Sequence, residues 1–134
     1  MQKILVVDDT PISRDVLVRA LRQEGYQTQV ARNGVEGLVR LKAETPDLVL
    51  LDQIMPEVDG LTFLSGIRRF PKWKRLPVIM LTGMNNKTNF AQAQNLGVAD
   101  YLVKSNFTLP ELLDRIRKAL KPAPIPAVAL PVGG

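Results

Sequence analysis

Residues 46–52 read Pro46-Asp47-Leu48-Val49-Leu50-Leu51-Asp52. Four consecutive apolar residues stand between two aspartates, with a proline ahead of them. A run this short and without alternation reads as a strand covered on both faces, the usual state of a central strand in a parallel sheet. Residues 4–7 (Ile-Leu-Val-Val) and 78–81 (Val-Ile-Met-Leu) repeat the signature. Residues 101–103 form a shorter version, and Tyr26, Thr28 and Val30 alternate with polar residues as in a half-exposed edge strand.

Helical patterns fill the gaps. Thr10-Pro11 opens the first helix, with Thr10 as cap and Pro11 in the first turn. Its apolar face is Ile12, Val16, Leu17, Ala20 and Leu21, and Gly25 ends it. A second helix covers about residues 35–44. A third follows the Met55-Pro56 turn and Gly60, and runs to about residue 69. Residues 86–96 are rich in Asn and Gln with few apolar anchors, which predicts a weak, mobile helix. In the last helix Thr108 and Glu111 make a capping box, and the core face is Leu109, Leu112, Leu113, Ile116 and Leu120. Five strand–helix units predict an α/β fold: a doubly wound, five-stranded parallel sheet with helices on both faces, in the flavodoxin-like order 2-1-3-4-5. The expected domain is residues 1–121. Residues 122–134, rich in Pro and Ala, read as a tail or linker.

Composition narrows the chemistry. The chain of 134 residues has neither cysteine nor histidine, so thiolate chemistry, the usual zinc sites and histidine general bases are excluded. A bound metal would need oxygen ligands, which favours magnesium, manganese or calcium. No apolar run approaches the ~20 residues of a membrane span, and the first residues lack a signal-peptide pattern; the expectation is a cytoplasmic protein with no membrane partner. The net charge is +5. Arg68, Arg69, Lys72, Lys74 and Arg75 cluster around Phe70 and Trp73, a pattern seen on nucleic-acid surfaces. A solvated helix end explains it better, and direct nucleic-acid binding is not expected.

The informative polar residues all fall at strand ends. Asp8 and Asp9 follow the first strand, Asp52 the third, Thr82 ends the fourth, and Lys104 follows the fifth. In an open parallel sheet that edge is where ligands bind, at the switch between strands one and three. Three carboxylates would therefore converge. At ~4 Å and an effective dielectric of ~20, one such pair costs about 4 kcal/mol. Protonation relieves this, as does a hard divalent cation. A cation beside Asp52 points to phosphoryl chemistry, because a carboxylate can attack phosphorus. The metal, an ammonium and a hydroxyl would hold the transferred oxygens, and Asp8 or Asp9, Lys104 and Thr82 supply that set.

Together with Pro56-Glu57-Val58-Asp59-Gly60, Pro77 to Gly83 and Gly97 to Lys104, these stretches resemble the receiver domains of bacterial two-component response regulators. The resemblance covers residues 1 to about 121. It implies that Asp52 is the phosphorylated aspartate, Asp9 a direct ligand of Mg2+ (or Mn2+), Asp8 an acid acting through metal-bound water, and the Ile54 carbonyl a further ligand. It implies that Lys104 pairs with phosphoryl oxygens, and that Thr82 and Tyr101 form the switch. The phosphoryl donor would be a histidine kinase or phosphotransfer protein. The α4-β5-α5 surface would control a downstream protein, an output domain or a phosphorylation-dependent homodimer. The domain would be regulatory, catalysing only its own phosphorylation and dephosphorylation.

One departure stands out. Ser105 follows Lys104 where the family usually has proline, often after a cis bond, so the backbone there is either trans or a strained cis. Ile54 and Met84, both apolar, lie two residues past Asp52 and Thr82 and cannot orient a water, which predicts slow self-dephosphorylation. Two alternatives carry less weight. A degenerate receiver would bind partners without phosphorylation. A phosphatase of the haloacid-dehalogenase type would need an aspartate where Ile54 stands.

Overall fold

A computed structural model describes residues 2–55, 57–83 and 87–121. Elements alternate along the chain: β1 Lys3–Val7, α1 Pro11–Gln23, β2 Gln27–Ala31, α2 Gly34–Ala43, β3 Leu48–Asp52, α3 Gly60–Arg68, β4 Val78–Thr82, α4 Lys87–Asn95, β5 Asp100–Val103 and α5 Leu109–Leu120. All strand pairs are parallel and the order is β2-β1-β3-β4-β5. This is the five-stranded, doubly wound sheet that the apolar runs predict. The tail at residues 122–134, Met84 and Pro56 lie outside the described residues.

The sheet separates two apolar cores. Leu5, Val7, Val49, Leu51, Val78 and Met80 face α2, α3 and α4, meeting Leu41, Leu64, Ile67 and Ala93. Their chain neighbours Ile4, Val6, Leu48, Leu50, Ile79 and Leu81 face α1 and α5, meeting Leu17, Leu21, Leu112 and Ile116. Strand side chains alternate between faces. The runs are continuously apolar because both faces are covered.

Three expectations about helix surfaces need correction. Ile12 and Val16 do not join the core: they are 79% and 47% exposed, and α1 docks through Leu17 and Leu21. Leu109, 38% exposed, likewise leaves the α5 face to Leu112 and Ile116. Ile12 and Leu109 lie in the first turn of their helices, and Val16 lies outside the stripe that Leu17 and Leu21 present to the sheet. Thr10 occupies the cap position of α1 but its side chain makes no cap hydrogen bond. Instead its backbone N–H donates to Asp8 Oδ1 at 2.9 Å. Thr108 does cap α5, accepting from the Glu111 N–H at 3.3 Å. Its hydroxyl donates to Glu111 Oε1, in place of the reciprocal contact of a full capping box.

The basic cluster is also smaller than it reads. Arg68 turns inward and donates to four carbonyl oxygens: Leu96 at 2.7 Å, Trp73 and Leu76 at 2.8 Å each, and Gly97 at 3.2 Å. Trp73 is buried, and its indole N–H donates to Thr45 Oγ1 at 3.1 Å. Arg68 thus joins the end of α3 to the loop before β4 and to the α4–β5 turn. Arg68→Met keeps the stem and removes all four donors, leaving partly buried carbonyls unsatisfied. We expect a loss of roughly 2–4 kcal/mol in urea denaturation, larger than a surface arginine gives. A change below about 0.5 kcal/mol would mean the four bonds are structurally idle.

Candidate functional site

Strand register builds the site. β1 pairs with β3 so that Val7 lies opposite Leu51, which sets Asp8 beside Asp52. β3 pairs Asp52 with Leu81, so Thr82 projects one residue further along the same edge. β4 pairs Thr82 with Val103, and Lys104 follows. Four residues distant in sequence reach one edge because four short parallel strands end level.

The carboxylates do converge. Asp8, Asp9 and Asp52 each offer an oxygen within 4.8 Å of the others. Asp8 and Asp52 are 2% and 6% exposed. Asp8 Oδ1 accepts from the Thr10 N–H, but Asp8 Oδ2 is buried with no hydrogen-bond partner. An ionised oxygen in that state is costly unless something cationic reaches it. Lys104 Nζ lies 3.5 Å from Asp52 Oδ2. Burial pushes the Asp52 carboxyl up to about 6; Lys104 works against the shift, and Asp8 adds to it. An all-oxygen donor set with an orphaned anionic atom fits a hard divalent cation.

The loop after Asp52 is fixed by a close approach. The Gly60 N–H donates to the Gln53 carbonyl at 2.9 Å, and the Leu61 N–H to Gln53 Oε1 at 2.9 Å. A Cβ on Gly60 would stand 2.5 Å from the Asp52 carbonyl oxygen, so only glycine lets α3 start here. Gln53 was not singled out in the sequence, yet it is 6% exposed and accepts a first-turn N–H of α3 beside Asp52, while Asp59 is the N-cap of that helix. Its signal was faint: one polar residue directly after an apolar strand. The Ile54 N–H points to Asp52 Oδ1 at 3.4 Å, and its side chain is 58% exposed.

Thr82 is 1% exposed at the end of β4. The Tyr101 ring packs edge-on against Phe90 of α4, with centroids 5.5 Å apart at 78°. Its hydroxyl is buried and accepts or donates no hydrogen bond. Lys104 and Ser105 are joined by a trans bond, since the described residues contain no cis peptide, and a single helical turn, Lys104–Asn106, carries the chain onward. The choice between trans and strained cis is thereby resolved.

The model of the response regulator receiver domain matches residues 4–117. The chain belongs to that family. It is 36% identical over 121 residues to the DNA-binding dual master transcriptional regulator RpaA of Synechocystis sp., covering 90% of this chain and 50% of that protein. It is 34% identical over 123 residues to the phosphate regulon transcriptional regulatory protein PhoB of Rhizobium meliloti, covering 92% and 54%. The chain thus spans about half the length of these curated relatives. Among solved structures, chemotaxis protein CheY4 of Vibrio cholerae superposes with a TM-score of 0.83 at 28% identity, over 90% of this chain and 99% of that one. This receiver is a regulatory domain of two-component signalling. No helix among its described residues is long and apolar enough to cross a membrane.

The raised Asp52 has a stability consequence. Its folded-state value of about 6 lies above the ordinary 3.8, so between those values the folded state holds the extra proton. Stability of the metal-free domain therefore falls as pH rises from about 4 to about 6. Asp52→Asn should remove that slope and stabilise the metal-free domain at pH 7 by roughly 1–3 kcal/mol. Urea titrations of both proteins in EDTA check this, and parallel pH profiles would refute it.

Proposed function

We propose that this receiver takes a phosphoryl group on Asp52 from a histidine kinase or phosphotransfer protein and uses it to reset its α4-β5-α5 surface. The observation that carries this reading is the placement of Asp52: buried, beside Asp8 and Asp9, with the Lys104 ammonium 3.5 Å away. Asp8, Asp9, Asp52 and the Ile54 carbonyl would hold Mg2+ or Mn2+. When bound, the cation neutralises charge on the carboxylates and on the phosphoryl oxygens.

The protein groups divide the remaining work. A carboxylate oxygen of Asp52 attacks phosphorus; the P–O bond of an acyl phosphate forms as the P–N bond of the donor phosphohistidine breaks, and the imidazole nitrogen keeps the electron pair. No general base is required, since the attacking oxygen carries no proton once Asp52 is ionised. Lys104 stays close and pairs with a phosphoryl oxygen, while the Thr82 hydroxyl donates to another. Tyr101 is suited to respond: its hydroxyl makes no hydrogen bond, and its ring is held by Phe90 of the helix that would move. α4 buries only Ala93 among its described residues, so little apolar contact resists displacement. A downstream protein, an output domain or a second receiver would read the new α4-β5-α5 surface.

Intact-mass spectrometry after incubation with acetyl phosphate and Mg2+ tests this. Wild type should gain one phosphoryl mass, Asp52→Ala none, and EDTA should abolish the gain. With exposed Ile54 in place of a polar group, the adduct should decay slowly, and Ile54→Asn should speed its loss several-fold. An adduct retained in Asp52→Ala would contradict the assignment. An unchanged decay in Ile54→Asn would contradict the account of its lifetime.

A further inference from the structure

α2 and α3 lie side by side over the core that faces away from α1 and α5. Between their outer surfaces runs a groove of about 240 Å3, walled by Val35, Leu38, Val58, Ile67 and Phe70. Its shape follows from glycines. A Cβ on Gly37 would come within 3.0 Å of the Phe63 ring, so α2 presses directly on that side chain. On the other wall Gly66 lines the groove, and a Cβ there would meet nothing within 4 Å. Val35 and Val39, one turn apart on α2, are each 60% exposed, and Phe70 at the end of α3 is 47% exposed. Scattered apolar residues are ordinary on a surface, but two of these, Val35 and Phe70, line an apolar cleft, and Val39 extends the exposed apolar face of α2.

Charge identifies the occupant. Arg69, Lys72, Lys74 and Arg75 surround Phe70 in the chain and are exposed, as is Lys42 in the last turn of α2. The Trp73 bond to Thr45 brings this segment against the end of α2. None of the five joins an ion pair among the described residues. The nearest carboxylate in sequence to Lys42, Glu44, is paired with Lys3. We propose that the α2–α3 groove and its basic end form a docking site for an acidic polypeptide segment bearing a large apolar side chain. The apolar group enters between Val35 and Phe70, and the acids meet Arg69, Lys72 and their neighbours. The chain's own residues 122–134 carry no charge, so they cannot satisfy the cations. A second copy would bring its own +5 to the contact, which opposes association. A duplex or a lipid surface offers the anions but leaves a concave apolar cleft unfilled.

The test uses the full unphosphorylated chain in EDTA, so it does not depend on Asp52 chemistry. Fluorescence anisotropy is measured with a labelled random copolymer of glutamate and tyrosine, with polyglutamate, a DNA duplex and phosphatidylserine-containing vesicles as comparators. Gly66→Leu fills the groove at a position with open space and improves helix propensity. Val35→Ser is a second groove variant at an exposed site, and Lys72→Glu with Lys74→Glu inverts the basic end. The copolymer should bind more tightly than polyglutamate. Both groove variants should weaken it about tenfold or more, as loss of an anchor pocket does, and charge inversion should weaken both polymers. Three results would overturn the proposal: copolymer affinity indifferent to both groove variants, tighter binding to duplex or vesicles than to copolymer, or a homodimer in light scattering that Gly66→Leu disperses.

Discussion

The structure depends on holding ionisable oxygens together where they repel. The β1–β3 register sets Asp8 beside Asp52, and the bulk of both carboxyl groups is out of water. Nothing local favours this. The apolar strands on either side supply the free energy that keeps the two ends level: β3 and β4 are buried along their whole length, and β1 at every residue but Lys3. Gly60 then closes the third side by letting α3 begin against the Asp52 backbone, where a methyl group would collide. Lys104 offsets part of the repulsion, but Asp8 Oδ2 stays without a partner. An all-oxygen donor set of this kind suits a hard cation.

Much of this was legible in the chain. Uninterrupted apolar runs gave the buried strands, and the position of polar residues just past them gave the site edge, because strand ends in a parallel sheet must lie together. What the sequence did not disclose depends on tertiary neighbours. Ile12, Val16 and Leu109 follow helical periodicity, yet periodicity does not say which part of an apolar face meets the sheet. Arg68 reads as one more surface cation, and only the arrival of the α4–β5 turn and the loop before β4 supplies its four carbonyls. Gln53 is hidden for the same reason: its role exists only once Leu61 comes within reach.

Neighbouring helices on one sheet face differ in how firmly they are anchored. There the thinly anchored α4 leans on Tyr101 through Phe90, and Tyr101 lies on β5, which ends at Val103 just before Lys104. That contact joins α4 to the strand that leads to the site edge. On the same side but one helix over, α2 and α3 are fixed by Phe63 packed under the α2 glycines and by the inward turn of Arg68. Neighbouring helices on this face thus have different degrees of anchorage.

The central claim is that Asp8, Asp9 and Asp52 form a strained anionic cluster that a hard divalent cation relieves. Titration calorimetry with Mg2+ at neutral pH, alongside thermal melts, tests it most directly. The account predicts one saturable site, a melting temperature that climbs with Mg2+ concentration, and loss of both in Asp9→Asn. No saturable heat and an unmoved melting temperature in the wild-type protein would contradict it.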